Sequence, residues 1–482
     1  MNYKNVLKIL SLIGITVSVI FLLDVLVGII YKEEYEKFLF YDGALFLVNL
    51  SIWLWLKNHE LDLKIKESIL VVNLLWVLLG VAGAIPLFLY TDISFASAFF
   101  EAISGFTTTG ATVYTDVESL PHLILFHRSL MHWLGGLGVI VLGVGLLPVI
   151  NPTGSLSLFK AESTGVSLEK LTPKIKDTAL SLWIVYFLLT LVDTMLLKFF
   201  GMSWFDAINH AFSTISTGGF STKNNSLGYF ITSDGIIWTT TIFMMLAGIN
   251  FLAHLKLFYY KDTSGYKTEE VKWYLIIFVL LSILLSLVHV YISGDTFYDA
   301  LKNSSFTIAS VMTTTGFATI DYGSWSHLAI AIIFVGLLMG GNAGSTAGGI
   351  KIIRHIIIFK TLASELKRIL HPNMIISVFI DGVKQKERIL SSTFGFFTLF
   401  MITVAIVTIY IYVRGYDAMT SISGAFAIVG NIGPGFSMVG PADNFSFFSD
   451  FDKIFLSVAM IIGRLECYTV FVLLSSSFWK KF

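Results

Sequence analysis

Charge is scarce in this chain: 13% of its 482 residues are Asp, Glu, Lys or Arg, against roughly a quarter in soluble domains. Hydrophobic residues make up 55% and mean hydropathy is +0.79, so the apolar surface has to be solvated by lipid, which excludes an ordinary soluble domain. What charge there is sums to zero, and nothing in it calls for nucleic acid or an acidic partner surface. Cysteine is limited to Cys467; an intrachain disulfide is excluded, and the residue reads as a small apolar packer in a late helix. His127, His132, His254 and His355 lack metal-ligand spacing and read as helix-end residues. No nucleophile, base or metal ligands cluster within the apolar runs, which argues against a membrane-embedded enzyme and for a protein with no organic cofactor. Gly135-Gly136-Leu137-Gly138 has no strand before it and lies inside an apolar run, so it is not a nucleotide loop.

Long apolar runs are what the chain has instead. The first, from about Val6 to Ile30, follows basic residues as a signal peptide would. It is longer than the roughly 7 to 15 residues of such a segment and no small-residue cleavage site follows, so it reads as a membrane helix. At about 20 residues per span, ten spans are predicted near 5–31, 42–57, 68–90, 127–150, 178–200, 235–258, 272–293, 326–362, 389–413 and 453–479. Four shorter apolar stretches, such as Ala96 to Phe106 and Asp206 to Ile215, lie before spans four, six, eight and ten. They are too short to cross and fit half-helices that enter and turn back.

Each half-helix ends in a polar, glycine-centred segment: Thr107-Thr108-Thr109-Gly110, Ser216-Thr217-Gly218-Gly219, Thr313-Thr314-Thr315-Gly316 and Asn431-Ile432-Gly433-Pro434-Gly435. With Gly110, Gly218, Gly316 and Gly433 as the signature glycines, the separations are 108, 98 and 117 residues, which argues for four internal repeats. An acid-Ala pair accompanies each half-helix (Glu101-Ala102, Asp206-Ala207, Asp299-Ala300, Asp417-Ala418), although the acids are out of register. The predicted fold is all-α and membrane-integral: two N-terminal helices in 1–66, then four helix, pore helix, filter, helix repeats in 67–177, 178–270, 271–388 and 389–482, arranged with pseudo-four-fold symmetry like a K⁺ channel.

Polar backbone at membrane depth has to line something wet or bind something charged, because unpaired N–H and C=O groups facing lipid cost several kcal/mol each. A monovalent cation sheds its water only where oxygens replace it, and rings of backbone carbonyls do so without fixed charge. Glycine lets neighbouring carbonyls turn inward by adopting positive φ. Thr108, Thr109 and Gly110, Ser216, Thr217 and Gly218, Thr314, Thr315 and Gly316, and Asn431, Ile432 and Gly433 are therefore the expected ion ligands, one quarter of each ring per segment. Rings without carboxylates suit K⁺ better than Ca²⁺ or Mg²⁺, and half-helices aiming their negative C-terminal ends at the path favour a cation. Close packing of Gly and Thr in membrane helices is the alternative for any one segment; four at a regular period weigh against it. The fourth segment departs from the others, with Asn431-Ile432 before the glycine and Pro434 after it, so the filter is expected to have one odd quarter.

The segments SGFTTTGATV, FSTISTGGFST and NIGPGF, the stretch from His132 to Gly138, and GGNAGSTAGGIK resemble the membrane subunit of the Trk-type K⁺ uptake systems of bacteria, in the Trk/Ktr/HKT superfamily. The likeness covers nearly the whole chain, and the two extra N-terminal helices match the Trk branch. The resemblance implies one pore per chain, K⁺ as the transported ion, a homodimer, and control by a cytosolic nucleotide-binding ring protein. Lys and Arg are distributed 23 to 8 in favour of the loops on the N-terminal side, which puts both termini inside; the resemblance implies the inner membrane of a bacterium. The charged inner loops, Asn151 to Asp177, Lys261 to Lys272 and Lys360 to Arg388, are the expected surface for a soluble partner.

The eighth span is interrupted by Gly340-Gly341-Asn342-Ala343-Gly344-Ser345-Thr346-Ala347-Gly348-Gly349. Each Gly costs a helix about 1 kcal/mol relative to Ala, and broken backbone is tolerated where it lines a cavity. Either Gly340, Gly344 and Gly348 form a small-residue packing face, or the run is a loop able to occlude the pore; the resemblance implies the gate. Lys351 follows directly, as a tether or as an interfacial lysine. Arg464 lies in the tenth span among apolar residues; it faces the bundle interior or a wet cavity. It serves there as an electrostatic barrier, as an anchor for the loop's carbonyls, or as an ion-pair partner of an acid. Glu466, two residues on, lies on another helical face and is a poor local partner; the resemblance implies an arginine in the pore. A symporter coupled to H⁺ or Na⁺ remains the alternative, with Asp24, Asp193 and Glu466 as the few intramembrane acids and no evident partner for any of them.

Overall fold

In the computed structural model, which describes residues 2–61, 64–141, 175–372 and 377–480, helices dominate. The N-terminal pair is α1 (Tyr3–Tyr31), capped by the Asn2 side chain and closed by a left-handed Lys32, and α2 (Glu36–Trp55). The first repeat comprises α3 (Ile65–Tyr90), the short α4 (Phe95–Phe106) and α5 (His122–Val141). The second has α6 (Ile175–Phe199), α7 (Trp204–Ile215), α8 (Asp234–Ala247) and α9 (Phe251–Tyr260). The third has α10 (Glu269–Ser293), α11 (Phe297–Met312), α12 (His327–Leu337) and α13 (Ile352–Leu370). A two-strand hairpin, Phe379–Ile380 with Val383–Lys384, turns through Asp381 and Gly382, both at positive φ as its Asp-Gly turn requires. The fourth repeat has α14 (Glu387–Val413), α15 (Ala418–Val429), α16 (Asp450–Arg464), α17 (Tyr468–Leu474) and the terminal α18 (Ser476–Trp479). The expected partner loop from Asn151 to Asp177, and the end of the fourth span, lie largely outside the described residues.

Among the described residues six helices are long and apolar enough to cross a membrane, or eight if two bent pairs each count as one span. Their flanks stay apolar where they face outward: Leu280, Leu287, Ile406 and Ile409 are all more than half exposed, as lipid-facing side chains are. Three spans are broken where the sequence predicts one. Beyond the eighth, the sixth turns by 96° between α8 and α9 and the tenth by 116° between α16 and α17. The first break falls at Gly248 to Asn250, with the Asn250 side chain capping α9 through the Leu252 amide. At the second, Glu466 and Cys467 both take φ of 57°. Cys467 is thus a buried packer, placed at a kink rather than within a helix.

The four short helices α4, α7, α11 and α15 run 12, 12, 16 and 12 residues, about 18 to 24 Å, short of the roughly 30 Å hydrocarbon core. All four start alike: Ser94, Ser203, Thr296 and Asp417 each accept from the amide three residues on. The unequal acid-Ala spacing has its cause here. Asp417 is itself a cap and Asp206 and Asp299 sit in the first turn, whereas Glu101 lies deep in α4 with another role.

Candidate functional site: four segments at the centre of the bundle

Beyond each short helix the chain repeats one hydrogen-bond pattern. The amides of Thr109, Gly218, Thr315 and Ile432 each donate to a carbonyl five residues back, on Ser104, Ser213, Ser310 and Ala427, at 2.9, 2.7, 2.8 and 2.8 Å. The residue before each of those amides is left-handed: Thr108, Thr217, Thr314 and Asn431 have φ of 52, 55, 58 and 54°. The residue after is a left-handed glycine: Gly110, Gly219, Gly316 and Gly433, at 81, 87, 81 and 94°.

This corrects the register of the second segment. Gly218 is not in the left-handed region and corresponds to Thr109; Gly219 is the partner of Gly110. Ser216 is the cap of α7 and matches Thr107 and Thr313, with its hydroxyl bonded 2.6 Å to the Phe212 carbonyl. Thr107 and Thr313 make the same bond to Ile103 and Ala309, at 2.6 and 2.7 Å. Each segment thus holds two left-handed positions with one residue between them, and only glycine holds the second without steric cost.

The segments meet in a closed cycle. A Cβ placed on Gly110 would run into the Gly218 carbonyl oxygen, one on Gly219 into Thr315 O, one on Gly316 into Ile432 O, and one on Gly433 into Thr109 O. One vestibule touches Gly110, Gly219, Gly316 and Gly433 together, with Pro434 beside the last. The fourth quarter is chemically odd as expected. Gly430 has no hydroxyl to cap its helix, and Asn431 Nδ2 instead donates to Thr109 Oγ1 at 2.9 Å and to the Met460 carbonyl at 3.0 Å.

Behind the segments the packing is glycine-dependent. A Cβ on Gly135 would strike the Phe106 carbonyl and one on Gly136 would strike Ser216, so the glycine-rich part of α5 permits close approach to the first two segments. His127 and His132 are not helix-end residues: both are fully buried in mid-α5. His127 joins Asp24 at 2.9 Å and the Gly83 carbonyl at 3.2 Å, giving Asp24 a partner its sequence context does not reveal. His132 Nδ1 lies 2.7 Å from the Gly105 carbonyl, and Nε2 accepts from the Phe220 amide at 3.2 Å. His254 and His355 lie in the second turns of α9 and α13, and no His, Cys, Asp or Glu cluster among the described residues suits a metal ion.

The run from Gly340 to Gly349 is a loop, with Gly344 and Gly349 at φ of 76 and 65°. A helical packing face of Gly340, Gly344 and Gly348 is thereby ruled out: a Cβ on Gly340 would meet the Gly348 and Ile350 carbonyls within the loop itself. Its tip is tied on several sides. Asn342 N donates to Gly248 O at 2.8 Å and Phe251 N to Gly344 O at 3.0 Å, which stitches the loop to the break between α8 and α9. Thr346 Oγ1 reaches Ile215 O at 3.0 Å and Ala247 O at 3.2 Å, and Gly348 N donates to Thr314 Oγ1 at 2.6 Å. Asn342, Ser345 and Thr346 are buried, and a Cβ on Gly341 would meet Ala347 and Gly248 O.

Lys351 is buried, and its ammonium donates to the Ala347 carbonyl within the loop, a tether rather than an interfacial lysine. Arg464 Nη1 donates to Thr346 O at 3.0 Å. Glu466 pairs instead with Arg354 at 2.7 Å. Sequence reasoning missed Arg354 and Glu270; Glu270 Oε1 accepts from Ala343 N at 2.8 Å and Ile353 N at 3.3 Å, joining the loop to the first turn of α13. An acid in the first turn of an otherwise apolar span was the available signal. Asp193 is fully buried, and neither carboxylate oxygen has a hydrogen-bond partner among the described residues.

The family model for TrkH, a cation transport protein, matches residues 36–481. The Trk system potassium uptake protein TrkH of Salmonella typhimurium is 35% identical over 491 residues, covering 100% of both chains. TrkG of Escherichia coli is 34% identical over 490 residues, again with 100% of each covered. Among solved structures, the potassium transporter TrkH of Vibrio parahaemolyticus is similar with a TM-score of 0.90 at 33% identity over 100% of both chains. These relatives are transport proteins, not enzymes, and by matched length and identity the chain belongs to the TrkH family of cation transport proteins.

Proposed function

We propose that this chain takes up K⁺ across a bacterial inner membrane through a single pore whose selectivity filter is the four-segment ring. The observation that carries the reading is the cyclic contact of Gly110, Gly219, Gly316 and Gly433 with the carbonyls of Gly218, Thr315, Ile432 and Thr109. Four carbonyl-bearing turns converging without a carboxylate among them suit a monovalent cation, because backbone oxygens replace its water without binding it too tightly. Each ring then takes one oxygen from each of four equivalent residues: Thr108, Thr217, Thr314 and Asn431 in one; Thr109, Gly218, Thr315 and Ile432 in the next; and Gly110, Gly219, Gly316 and Gly433 in the third. The short helices point their C-terminal ends at these turns and add negative potential.

The loop from Gly340 to Gly349 is the gate in this reading, held shut by Lys351 and Arg464, with Gly340, Gly341, Asn342, Gly344, Ser345, Gly348 and Gly349 forming its backbone path. Its bonds to Ile215 O and Thr314 Oγ1 support a position directly against the second and third segments. The division of the chain at about residues 66, 177, 270 and 388, the cytoplasmic termini, the homodimer and a cytosolic nucleotide-binding regulator belong to the same proposal. The 23 to 8 bias in Lys and Arg supports the orientation, and the relatives named as Trk system potassium uptake proteins support K⁺ as cargo.

The test is uptake of radioactive rubidium into liposomes containing this chain alone, competed by K⁺, Na⁺ and Cs⁺. Competition by K⁺ and Cs⁺ well ahead of Na⁺ is expected; equal competition by all three overturns the filter. Coupling to H⁺ or Na⁺ is a second reading, favoured by the fully buried Asp193, whose carboxylate oxygens have no hydrogen-bond partner among the described residues. Uptake that follows an imposed pH or Na⁺ gradient when K⁺ is at equilibrium would establish it.

A further inference from the structure

Among the described residues, a buried ion pair stands beside the vestibule on one side only. Arg128 on α5 donates from Nε to Glu101 Oε1 at 2.9 Å, and the two side chains are 2% and 0% exposed. Glu101 Oε2 accepts from the Val113 amide at 2.8 Å and Oε1 from Thr112 Oγ1 at 2.9 Å, so the carboxylate fastens the strand leaving the first segment to its own short helix. Arg128 reaches the other way. Nη1 donates to the Ser221 carbonyl at 3.3 Å, and the guanidinium lies 4.1 Å from the Phe220 ring, both in the strand leaving the second segment. One turn further along α5, His132 grips the same strand through the Phe220 amide and the first short helix through Gly105 O.

Glu101 lies nine residues before Gly110, where the second repeat has His210, whose Nε2 is 2.9 Å from Ser221 Oγ. The third and fourth repeats have Thr307 and Gly424 at that position and hold their exit strands by hydroxyls, Ser310 to Phe317 O at 2.6 Å and Ser423 with Phe436 N at 2.9 Å. The ionic brace thus belongs to the junction of segments one and two, and Arg128 itself borders the vestibule.

The geometry points to Arg128, with Glu101, as a positioning residue for selectivity: the pair fixes the spacing of the first two filter segments, while the carboxylate cancels a cationic charge at the ion entrance. This rests on the filter reading above. Neutralising one partner leaves the other charge buried and unpaired, whereas removing both leaves a slack junction without stray charge. Glu101→Gln is therefore expected to reduce rubidium uptake severalfold by exposing entering cations to Arg128. Arg128→Gln is expected to reduce the preference for K⁺ over Na⁺ severalfold. The double variant regains uptake relative to Glu101→Gln but keeps the lowered preference. Arg128→Lys, which keeps charge without the fork, retains uptake and loses part of the preference. The measurement is rubidium uptake competed by K⁺ and Na⁺ in liposomes, normalised to monodisperse protein, with Gly219→Ala alongside. If Gly219→Ala alters the competition order and all the pair variants keep the parent's order, this inference fails and the filter stands. If Gly219→Ala also leaves the order unchanged, the filter reading fails first. Misfolded variants are excluded by the normalisation, and Arg128→Lys with the parent's preference and uptake overturns the role of the fork.

Discussion

Arg464 Nη1, near the end of α16, donates a 3.0 Å hydrogen bond to the carbonyl of Thr346 in the loop between α12 and α13. The contact joins elements 118 residues apart in sequence and attaches a side chain of the fourth repeat to the proposed gate of the third. Two physical effects are combined in it: a charge-assisted bond that holds the loop and a positive charge on the proposed ion path. Arg464→Gln removes the charge and weakens the bond, and a severalfold rise in basal rubidium flux is expected. Arg464→Lys separates the two effects, since it keeps the charge but loses the planar reach of the guanidinium. Flux of the lysine variant nearer that of Gln is the expected outcome; flux equal to the parent's for both variants removes Arg464 from the gate.

The second segment offers a test of register. Gly219 has φ of 87° and its Cβ position is occupied by the Thr315 carbonyl, a backbone atom. Gly218 has no such φ, and its Cβ would meet the His132 ring, a side chain. Gly219→Ala is therefore strained whatever surrounds it, and it should lower K⁺ preference in any background. Gly218→Ala should be relieved by His132→Ala. The competition assay on both single variants, repeated in the His132→Ala background, reads this directly; rescue of Gly219→Ala would return the register to Gly218.

Much of this site is legible in sequence because glycine and short apolar stretches carry strong local signals. The four half-helices, the four polar segments and the broken eighth span follow from length, polarity and helix-breaking residues alone. The register of Thr217-Gly218-Gly219 does not, since two adjacent glycines satisfy the same pattern and only backbone φ separates them. The breaks at Gly248 to Asn250 and Leu465 to Cys467 are equally hidden. A single glycine or none marks them, and the compensating bonds come from residues 94 positions away, as between Asn342 N and Gly248 O. Partners of buried charges are illegible for the same reason. Asp24 with His127, Glu101 with Arg128 and Arg354 with Glu466 are tertiary pairs with no periodic signature.

Asn431 closes the ring between the fourth and first segments through Thr109 Oγ1 and reaches the Met460 carbonyl as well. Asn431→Ala loses both bonds in a buried setting, and a cost of about 1 to 3 kcal/mol is expected. Thermal unfolding of the purified protein in detergent should show a lowered midpoint. Thr109→Ala should cost a similar amount, because its hydroxyl accepts from Asn431 Nδ2 and also lies 2.7 Å from Thr107 Oγ1, so two side-chain bonds are lost there as well. The double variant should cost less than the sum of the two singles, and strict additivity would mean the Nδ2 to Oγ1 bond contributes nothing.

Arg354 and Glu466 fasten the kink of the tenth span to the first turn of α13, directly after the proposed gate. Their 2.7 Å pair is 4% exposed on the arginine side and 20% on the glutamate side, and the guanidinium lies 3.6 Å from the centre of the Phe396 ring. Removing the carboxylate leaves Arg354 buried with fewer acceptors. The cost expected for Glu466→Gln is about 2 to 3 kcal/mol, discounted for partial exposure from that of breaking a fully enclosed pair. Because α13 begins at Ile352, immediately after Lys351, loosening its first turn also frees the loop's trailing end. Glu466→Gln is therefore expected to lower the unfolding midpoint and raise basal rubidium flux together, whereas Asn431→Ala lowers the midpoint without raising flux. A stability loss in Glu466→Gln with unchanged flux would show that the kink is mechanically independent of the loop.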